Sequence, residues 1–408
     1  MRVLMMSTPV STHFAPLVPL AWALRAAGHE VLVAGLPDIL PTAQSAGLSA
    51  ATIADRFGVE RHMLNRLAEG KRSLESVPRP QPAEYGDFGL VWVGQTRYVT
   101  PMYLRFAQGY RPDLVVADPF EYSALIVGGV LGVPVVHHRW GVDALTGAAR
   151  IATREPLRAL CVEHGLDGLP DPTVLIDPCP PTLQVPEVER GWPMRCVPYN
   201  GPAVVPQWRA DEVRHHGSGP VPGRQRVVVS LGGRTLLLNG VPFLRRILLA
   251  CGGLPEVEVL ATVEQTYRPE LGPLPANVRL IDPTPLDLFL GSCDVAVHHG
   301  GAGTAMTATA FGLPQLVLPQ MADQFGHGDR LAEAGAAISF DTVAEQDDVD
   351  LLRDSLAALL AQPGYRRAAA ELRAELQRMP TPTAVVRDLE RLVRSGATLP
   401  REVTPCAS

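Results

Sequence analysis

The sequence predicts an α/β fold made of two domains, each with a doubly wound parallel sheet. Both halves alternate short apolar runs with amphipathic stretches, the pattern of strand–helix–strand units. The chain has 408 residues, more than one typical domain holds. Prolines become dense between Pro198 and Pro222, where the first alternating series stops. We therefore divide the chain into residues 1–204, a linker at 205–224, a second domain at 225–382 and a final helix at 383–400.

Strands are predicted wherever a short β-branched or apolar run is bounded by turn residues. In the first half these runs are residues 3–7, 30–34, 114–117 and 133–136. In the second half they are residues 226–231, 257–261, 278–281, 295–297 and 315–318. Helices are expected between them, including residues 16–27, which Gly28 ends as a C-terminal cap. Residues 55–95 break this rhythm, so they are either a functional loop or a disordered insertion.

Composition excludes several classes of protein. The net charge is −6, which gives no reason to expect binding to nucleic acid or an anionic membrane. No uninterrupted apolar run reaches the length of a membrane span. The six cysteines show neither a CxxC pair nor zinc spacing, which favours reduced thiols and a cytoplasmic protein.

The segment from Asp294 to Thr304 is the strongest functional signal. A buried strand leads into His298 and His299, then a glycine-rich turn, then a run that favours a helix. A turn of this kind presents backbone N–H groups and the positive helix end to an anion. Glycine lets the backbone approach the ligand closely, and a histidine can add a hydrogen bond. We predict a diphosphate site formed by His299, Gly300, Gly301, Gly303 and Thr304.

This segment, HHGGAGT, followed by GLPQLVLPQMADQ, resembles the donor-site signature of inverting nucleotide-sugar glycosyltransferases of GT-B architecture. The N-terminal stretch that starts MRVLMMSTPVSTHFAP is also similar to the opening of that family. The motifs HRWGVD, DPCPPTLQ and VPYNG resemble the actinomycete branch that glycosylates aromatic polyketides, which includes the urdamycin-type C-glycosyltransferases.

The resemblance implies two facing Rossmann-like domains with a cleft between them. The first domain would bind an acceptor and the second a nucleotide sugar, and the final helix would cross back onto the first domain. Residues 55–95 would then be a variable acceptor loop, with Trp92 and, after the strand 133–136, Trp140 as acceptor contacts.

His13 and Asp118 each follow a predicted strand, so both are expected at the ligand-binding edge of the first sheet. A carboxylate on one imidazole nitrogen leaves the other free to take a proton. The resemblance implies that His13 is the general base and Asp118 its support. Residues alone also allow a capping role for His13 and an Asx turn for Asp118. Asp143 is either a second acid/base near the acceptor or a turn aspartate.

The remaining candidates lie in the second half. The resemblance implies that Asp323 and Gln324 face the donor sugar. Ser230, Gly232 and Arg234 follow the first strand of that half and are suited to further phosphate contacts. Pro283, beside Thr284, stands where many UDP-sugar enzymes have a tryptophan that stacks on uracil, which favours a thymidine nucleotide. Asp348 and Asp350 suit a helix start better than a metal site.

We therefore expect an inverting glycosyltransferase that moves a deoxysugar from a dTDP-sugar to an aromatic polyketide, without metal or other cofactor. Its partners would be these two small molecules, and a homodimer is compatible with the sequence. Two alternatives remain at this point: a non-catalytic homologue that binds or activates a partner enzyme, and a nucleotide-sugar epimerase of the same fold. The sequence leaves open the sugar, the acceptor and the choice between C- and O-transfer.

Overall fold

The computed structural model describes residues 1–217, 219 and 222–396. Across these residues the chain forms two parallel sheets, one of seven strands and one of six, flanked by helices. This confirms the predicted α/β class with two doubly wound sheets.

The first sheet has its turning point in the middle. Its strands lie in the order Ser49–Thr52, Glu30–Gly35, Arg2–Met6, Leu114–Ala117, Val135–His138, Val174–Asp177 and Trp192–Pro193. Three strands, Leu114–Ala117, Val135–His138 and Val174–Asp177, are buried along their whole length, as expected when helices cover both faces of a sheet. The order reverses between Arg2–Met6 and Leu114–Ala117, whose register pairs Met6 with Ala117. Such a reversal leaves a crevice beyond the carboxyl ends of the strands.

The second sheet repeats this arrangement. Its strands lie in the order Val278–Ile281, Val257–Thr262, Gln225–Ser230, Val295–His298, Gln315–Val317 and Ala337–Ser339. The order reverses between Gln225–Ser230 and Val295–His298, and His298 is paired with Ser230. Each sheet therefore presents one crevice at its carboxyl edge.

Helices connect the strands in both halves. In the first half they are Ser11–Phe14, Val18–Ala26, Leu40–Ser45, Val59–Leu64, Ser73–Ser76, Asp87–Leu90, Val93–Tyr110, Tyr122–Leu131 and Thr146–Glu163. From there on they are Gln207–His216, Gly232–Gly252, Arg268–Leu271, Ala302–Phe311, Gln324–Glu333, Val343–Asp347, Val349–Ala361, Pro363–Arg378 and Pro382–Ser395.

The predicted linker, residues 205–224, contains a helix. The helix Gln207–His216, which begins after Pro206, makes up 10 residues of it. Glu212 on this helix accepts hydrogen bonds from Arg226, the second residue of the first strand of the second sheet. Pro206 therefore marks the start of a helix inside the predicted linker, and the limits of the two domains stay predictions. Three residues of the predicted linker, Ser218, Pro220 and Val221, lie outside the described residues.

The helix Pro382–Ser395 packs on the first sheet's helices although it ends the described chain. The Thr381 side chain accepts a hydrogen bond from the Ala384 amide and caps the helix, which starts at Pro382. Val385, Val386, Leu389 and Leu392 are buried in one cluster with Leu20 and Leu24 of the helix Val18–Ala26. Each such burial stabilises the fold by about 1.5–3 kcal/mol. The last four residues of the predicted helix, 397–400, lie outside the described residues.

One described helix, Gly232–Gly252, is long and apolar enough to cross a membrane by length and composition, although the sequence showed no uninterrupted apolar run of that length. Gly240 breaks its helical geometry, with φ 76° and ψ 168°. Phe243, Leu244 and Ile247 on this helix are buried in the core of the second sheet.

The cysteines in the described part of the chain are Cys161, Cys179, Cys196, Cys251 and Cys293, and all are free thiols. This agrees with the expectation of reduced cysteines for these five, and Cys406 lies outside the described residues.

Candidate functional site

A cleft of about 660 Å³ runs between the carboxyl edges of the two sheets. Most sequence-predicted site residues line it: His13, Trp140, Ser230, Gly232, Arg234, Pro283, Thr284, His299, Gly301, Gly303, Thr304, Asp323 and Gln324. Asp118, Asp143, Trp92 and Gly300 are not among its lining residues. The two halves of the chain therefore contribute to one site.

His13 lies on the short helix that follows the first strand. Its Nδ1 is 2.8 Å from the hydroxyl oxygen of Thr8. That hydroxyl donates its hydrogen to Oδ2 of Asp118 at 3.1 Å, so it must accept a hydrogen bond from Nδ1–H of His13. The hydrogen bonds thus assign the proton to Nδ1 and leave Nε2 with a free lone pair. An imidazole held in this tautomer can accept a proton from a bound molecule.

Asp118 supports His13 through Thr8 and not by a direct hydrogen bond. The shortest distance from Asp118 Oδ1 to His13 Nδ1 is 3.7 Å, too long for a hydrogen bond. The carboxylate is fully buried and accepts from the backbone amides of Thr8 at 2.6 Å and Phe120 at 3.0 Å. Burial raises the pKa of Asp118 to about 6. The Asx-turn alternative is also present, since Phe120 is two residues further on.

Thr8 is the residue that sequence reasoning missed. It lies two residues after the first strand, and its partner Asp118 lies one residue after a strand that is distant in sequence. The register of the two strands, with Met6 opposite Ala117, brings them together. A hydroxyl five residues before a candidate base was the available signal.

Aromatic rings surround His13. Its imidazole stacks on Trp140 with ring centroids 4.0 Å apart and an interplanar angle of 28°. Phe120 lies 5.2 Å from Trp140, and Trp92 lies 6.3 Å from His13. Trp92 is buried and forms the wall behind this group. Of these three rings Trp140 lines the cleft beside the proton acceptor, whereas Phe120 and Trp92 are buried behind it, and an apolar ring at this position suits an aromatic ligand.

His13 is neutral in this environment. Burial, and secondly the positive charge of Arg234, lower the pKa of His13 to about 3. A low pKa keeps the acceptor nitrogen available but makes it a weak base. A negative charge brought close to it would strengthen the base.

At the edge of the second sheet that was predicted to bind an anion, a strand, a glycine-rich turn and a helix follow one another as expected. The helix begins at Ala302, with Gly301 as its N-cap. The amides of Ala302 and Gly303 are in its first turn and cannot be satisfied within the helix. The Thr304 amide donates to the Gly301 carbonyl at 3.1 Å, so Thr304 offers its hydroxyl instead. Ala302, absent from the sequence-based set, contributes one of the two free amides.

His299 points into the same region. A Cβ atom on Gly301 would lie 2.3 Å from its Nε2, so the ring occupies space that only glycine leaves open. Its Nδ1 is buried and has no hydrogen-bond partner among the described residues. Burial, His298 and Arg234 lower the pKa of His299 to about 3. The ring is thus a neutral hydrogen-bond donor at the mouth of the helix.

Gly300 has a steric role and not the predicted phosphate contact. Its amide donates to Nδ1 of His298 at 2.9 Å and is not free for an anion. The φ of Gly300 is +82°, and a Cβ there would lie 2.7 Å from the carbonyl oxygen of Gln324. His298 itself is buried and bonded through Nε2 to Gln315 at 2.7 Å. Because Gly300 has no side chain, the segment that carries Asp323 and Gln324 can lie close to the glycine-rich turn.

Arg234 reaches across the cleft. Its guanidinium donates to the Thr12 hydroxyl at 3.3 Å and lies 3.6 Å from Glu60. Its charge lowers the pKa of both His13 and His299, so it lies near both histidines. Ser230, at the strand end, accepts a hydrogen bond from the Thr262 hydroxyl at 3.0 Å. A cation between the two histidines is well placed for a diphosphate.

The predicted sugar-binding pair lies at the start of the helix Gln324–Glu333. Asp323 is its N-cap residue, and burial raises the pKa of its carboxyl. The residue before it, Ala322, has a φ of +50°, an uncommon conformation for a residue with a Cβ. The side-chain oxygen of Gln324 accepts from the amides of Gln320 and Met321, which closes this turn. The turn is rigid and presents Asp323 to the cleft.

At the predicted nucleobase position, Thr284 donates its hydroxyl hydrogen to the Asp282 carbonyl at 2.8 Å. Pro283, Pro285 and Leu286 line the cleft beside it. The surface is apolar with no aromatic ring at the position of Pro283.

Asp143 does not reach the cleft. Its carboxylate accepts from Nε of Arg139 at 2.9 Å, from the amides of Leu145 and Thr146, and from the Thr146 hydroxyl. Arg139 also pairs with Asp177 at 2.9 Å. These bonds occupy the lone pairs that an acid or base would use. Asp143 is therefore a turn aspartate, the second of the two alternatives for this residue. Its hydrogen bonds fix the segment that follows Trp140.

The insertion at 55–95 is ordered as short helices and forms a strap to the second sheet's domain. Arg72, which is buried, lies 3.0 Å from Asp347. Arg79 pairs with Asp341 at 2.7 Å and also with Asp329. These ion pairs attach the segment to the second half of the chain.

Within residues 1–217, 219 and 222–396, no group of three or more His, Cys, Asp or Glu side chains is arranged to hold a metal. Asp348 caps the helix Val349–Ala361 by accepting from the amides of Asp350 and Leu351.

Comparison with known proteins agrees with this arrangement. Residues 22–232 match the family described as erythromycin biosynthesis protein CIII-like, N-terminal domain, and residues 246–392 match its C-terminal domain. The chain is 35% identical to TDP-daunosamine transferase DnrS from Streptomyces peucetius, over 96% of this chain and 97% of that one. It is 37% identical to L-demethylnoviosyl transferase from Streptomyces niveus, over 97% and 99%.

A solved structure of spinosyn rhamnosyltransferase SpnG complexed with thymidine diphosphate has the same architecture. The TM-score is 0.84 and the sequence identity 38%, covering 96% of this chain and 100% of that one. The similarity extends over both sheets and the cleft.

Proposed function

Because this chain belongs to the erythromycin biosynthesis protein CIII-like family of glycosyltransferases, we propose that it transfers a deoxysugar from a dTDP-sugar to an aromatic polyketide with inversion at the anomeric carbon. It is a GT-B enzyme of the actinomycete group that glycosylates antibiotics. The donor nucleotide, the acceptor class and the roles of individual residues are parts of the proposal.

The observation that carries the proposal is the placement of His13. Its Nδ1–H is held by Thr8, and Thr8 is held by Asp118. Its Nε2 is left for a ligand in the cleft. The helix N-terminus at Ala302 and the imidazole of His299 line the same cleft from the second half of the chain. A proton acceptor and an anion cradle in one cleft are what an inverting transfer requires.

In the proposed reaction, the acceptor gives its proton to Nε2 of His13. The acceptor atom forms a bond to the anomeric carbon while the bond from that carbon to the diphosphate oxygen breaks. The diphosphate leaves with the electron pair and is stabilised by Arg234, His299 and the amides of Ala302 and Gly303. Arg234 lowers the pKa of His13, so neutralising this cation with a donor diphosphate strengthens the base when the donor is bound.

These groups also support transfer without a metal. A helix terminus, a guanidinium and a hydrogen-bonding imidazole supply the positive potential that a divalent cation provides in other enzymes. We expect added chelator to leave the reaction rate unchanged.

The choice of thymidine rests on the apolar surface at Pro283, where no aromatic ring is available to stack on uracil. Thymidine diphosphate in the SpnG structure and the TDP-sugar transferase among the relatives agree with it. The ring of Trp140, which lines the cleft beside His13 and packs against the buried Phe120, supports a planar acceptor. A phenolate can react through oxygen or through its ortho carbon, so C- and O-transfer both remain within the proposal.

The two alternatives make different demands on the site. A binding or activating homologue would not need a base in a fixed tautomer, and the Thr8–Asp118 support of His13 argues for catalysis. A nucleotide-sugar epimerase would act on the donor alone and would not need the aromatic surface.

The test is incubation of the purified protein with a panel of dTDP-deoxysugars and aromatic polyketides, followed by mass spectrometry. A product heavier by one deoxysugar is the expected result, and its anomeric coupling by NMR reports inversion. Epimerised nucleotide sugar without acceptor would favour the epimerase. Absence of any product across the panel, with intact dTDP binding, would favour the binding homologue.

A further inference from the structure

We propose that His327 is a positioning residue that couples the acceptor side of the cleft to the donor-sugar side. It does so by joining the segment that carries Trp140 to the turn that carries Asp323. The inference rests on the proposed function and adds a residue that neither touches the reacting atoms nor lines the cleft.

His327 lies on the helix Gln324–Glu333 and is 1% exposed. Its Nε2 is 3.2 Å from the backbone amide of Val142, which can only donate. Its Nδ1 is 3.1 Å from the carbonyl oxygen of Asp323, which can only accept. One neutral tautomer, with the proton on Nδ1, satisfies both contacts. The imidazole is therefore a two-ended connector between the two halves of the chain.

Gly141 is shaped to this contact. A Cβ atom there would lie 2.6 Å from Nε2 of His327 and 3.1 Å from Cγ of Met306. Residue 141 has no positive φ, so the backbone conformation does not require glycine. The absence of a side chain serves the close approach of this segment to His327.

Val142 strengthens the same junction. Its side chain is buried in a cluster with Ala305, Val317 and Leu331, all from the second half of the chain. The segment from Trp140 to Asp143 thus inserts into the second domain, while Arg139 and Thr146 hold Asp143 behind it.

Through His327, the segment beside the proposed base is connected to the turn proposed to bind the sugar. Trp140, two residues before Val142, stacks on His13 at 4.0 Å. Asp323, one helical turn before His327, carries the carboxylate proposed to bind the sugar. A shift at His327 would change the distance between base and sugar, and misplacement by about 1 Å can lower a rate about 100-fold.

The domains have other attachments, so His327 need not hold them together. The ion pairs of Arg72 with Asp347 and of Arg79 with Asp341 and Asp329 join the strap to the second domain. Removing the imidazole should therefore loosen the relation between Trp140 and Asp323 while the fold remains.

The experiment compares wild type with the single variants His327→Leu, His327→Gln, His327→Ala, Gly141→Ala and Gly326→Ala, and with the double variant that combines Gly141→Ala and His327→Ala. The readouts are the transfer rate, hydrolysis of the dTDP-sugar by water, the affinity for dTDP and the melting temperature. For His327→Leu we expect transfer to fall at least about tenfold, with dTDP affinity unchanged because dTDP lacks the sugar. Hydrolysis should fall less, so the ratio of hydrolysis to transfer rises.

Two variants separate positioning from simple damage. His327→Gln places an amide oxygen near Nε2, keeps the bond from Val142 and should recover most of the transfer. Gly326→Ala is the matched control, because its Cβ would meet Val142 Cγ1 at an ordinary 3.8 Å, so wild-type rates are expected.

A double mutant adds a stricter criterion. Gly141→Ala should be severe alone but add little in a His327→Ala background, because its closest contact, 2.6 Å, is with the imidazole, and the contact of 3.1 Å with Met306 involves a flexible side chain that can shift. Equal transfer and an unchanged hydrolysis ratio in His327→Leu would overturn the inference, as would loss of dTDP binding or of folding in parallel with transfer. If wild type itself transfers no sugar, the proposed function fails, which is a distinguishable result.

Discussion

The hydroxyl oxygen of Thr8 lies 2.8 Å from Nδ1 of His13. Because this hydroxyl gives its hydrogen to Asp118, Thr8 and Asp118 together place the imidazole proton of His13 on Nδ1.

Thr8→Val keeps the shape of the side chain and removes the hydrogen bonds of the hydroxyl to His13 and Asp118. We expect the transfer rate to fall about tenfold, since a net hydrogen bond contributes about 0.5–1.5 kcal/mol. Thr8→Ser should restore the rate, and dTDP affinity should be unchanged in both. Stopped-flow turnover and calorimetry measure the two quantities, and a fully active valine variant would refute the relay.

Removal of the imidazole itself should have a larger effect. His13→Ala is expected to lower transfer by about 10²–10⁴-fold, the usual contribution of general-base catalysis. The loss should shrink for more acidic phenols, which release the proton more readily. Asp118→Asn should show a smaller defect in the same direction. Single-turnover rates across a series of phenols test this, and full activity of His13→Ala on a weakly acidic acceptor would mean that the proton leaves by another route.

The anion cradle predicts the effect of changing His299. His299→Ala should weaken dTDP binding by about 1.5–3 kcal/mol, the contribution of one hydrogen bond to a charged group. Acceptor affinity should change less. His216→Ala, at an exposed histidine of the same half, serves as the control. Titration calorimetry with dTDP gives the answer, and wild-type affinity in His299→Ala would remove the residue from the diphosphate site.

The surface at Pro283 predicts nucleotide preference. Thymidine diphosphate should bind more tightly than uridine diphosphate, because the thymine methyl adds apolar contact and no ring is present to stack on uracil. A competition titration measures the ratio. Equal or reversed affinities would withdraw the donor assignment and leave the rest of the proposal in place.

A buried acid predicts a pH dependence of stability. Burial, and secondly the charge of Asp118, raise the pKa of Glu121 to about 8 from an ordinary value of 4.5. At a pH between these two pKa values, Glu121 is protonated in the folded protein and ionised in the unfolded chain. The free energy of unfolding therefore falls as pH rises. Glu121→Gln removes this contribution. Asp118 acts with the same sign at lower pH, so some slope will remain.

Melting temperatures of wild type and Glu121→Gln, measured from pH 5 to pH 8.5 at constant ionic strength, check this. The wild-type value should decline more steeply across the range. Parallel declines would show that Glu121 is ionised in the folded protein.

Local patterns were sufficient to predict four of the seven strands of the first sheet, five of the six strands of the second, and the order of elements around the glycine-rich turn. The run from Val295 into the glycines and the helix at Ala302 contains the whole geometry in one segment, so sequence order and spatial order coincide. The same applies to the final helix, whose apolar spacing and Thr381 cap are local.

Contacts between residues that are distant in sequence could not be predicted from local patterns. Thr8 meets Asp118 through strand register, and His327 meets Val142 through the approach of the two halves. Gly300 was assigned to the phosphate because glycine in a turn is ambiguous, whereas its amide is used by His298. Asp143 was a candidate acid/base because its position after Trp140 is visible in the sequence, whereas the one hydrogen bond from Arg139 and the three from Leu145 and Thr146 depend on the local fold. Residue roles, the domain limits, metal independence, dimer formation and cytoplasmic location stay predictions.

The helix Pro382–Ser395 packs on helices of the first sheet, although it follows the second sheet in the chain. This packing affects the design of hybrid enzymes. A single crossover near the middle of the chain would join one parent's acceptor half to a closing helix from the other parent. Leu389 and Leu392 would then face a foreign surface in place of Leu20 and Leu24. Exchange of donor specificity between such enzymes therefore calls for two junctions, the second placed just before Thr381, so that each half keeps its native closing helix.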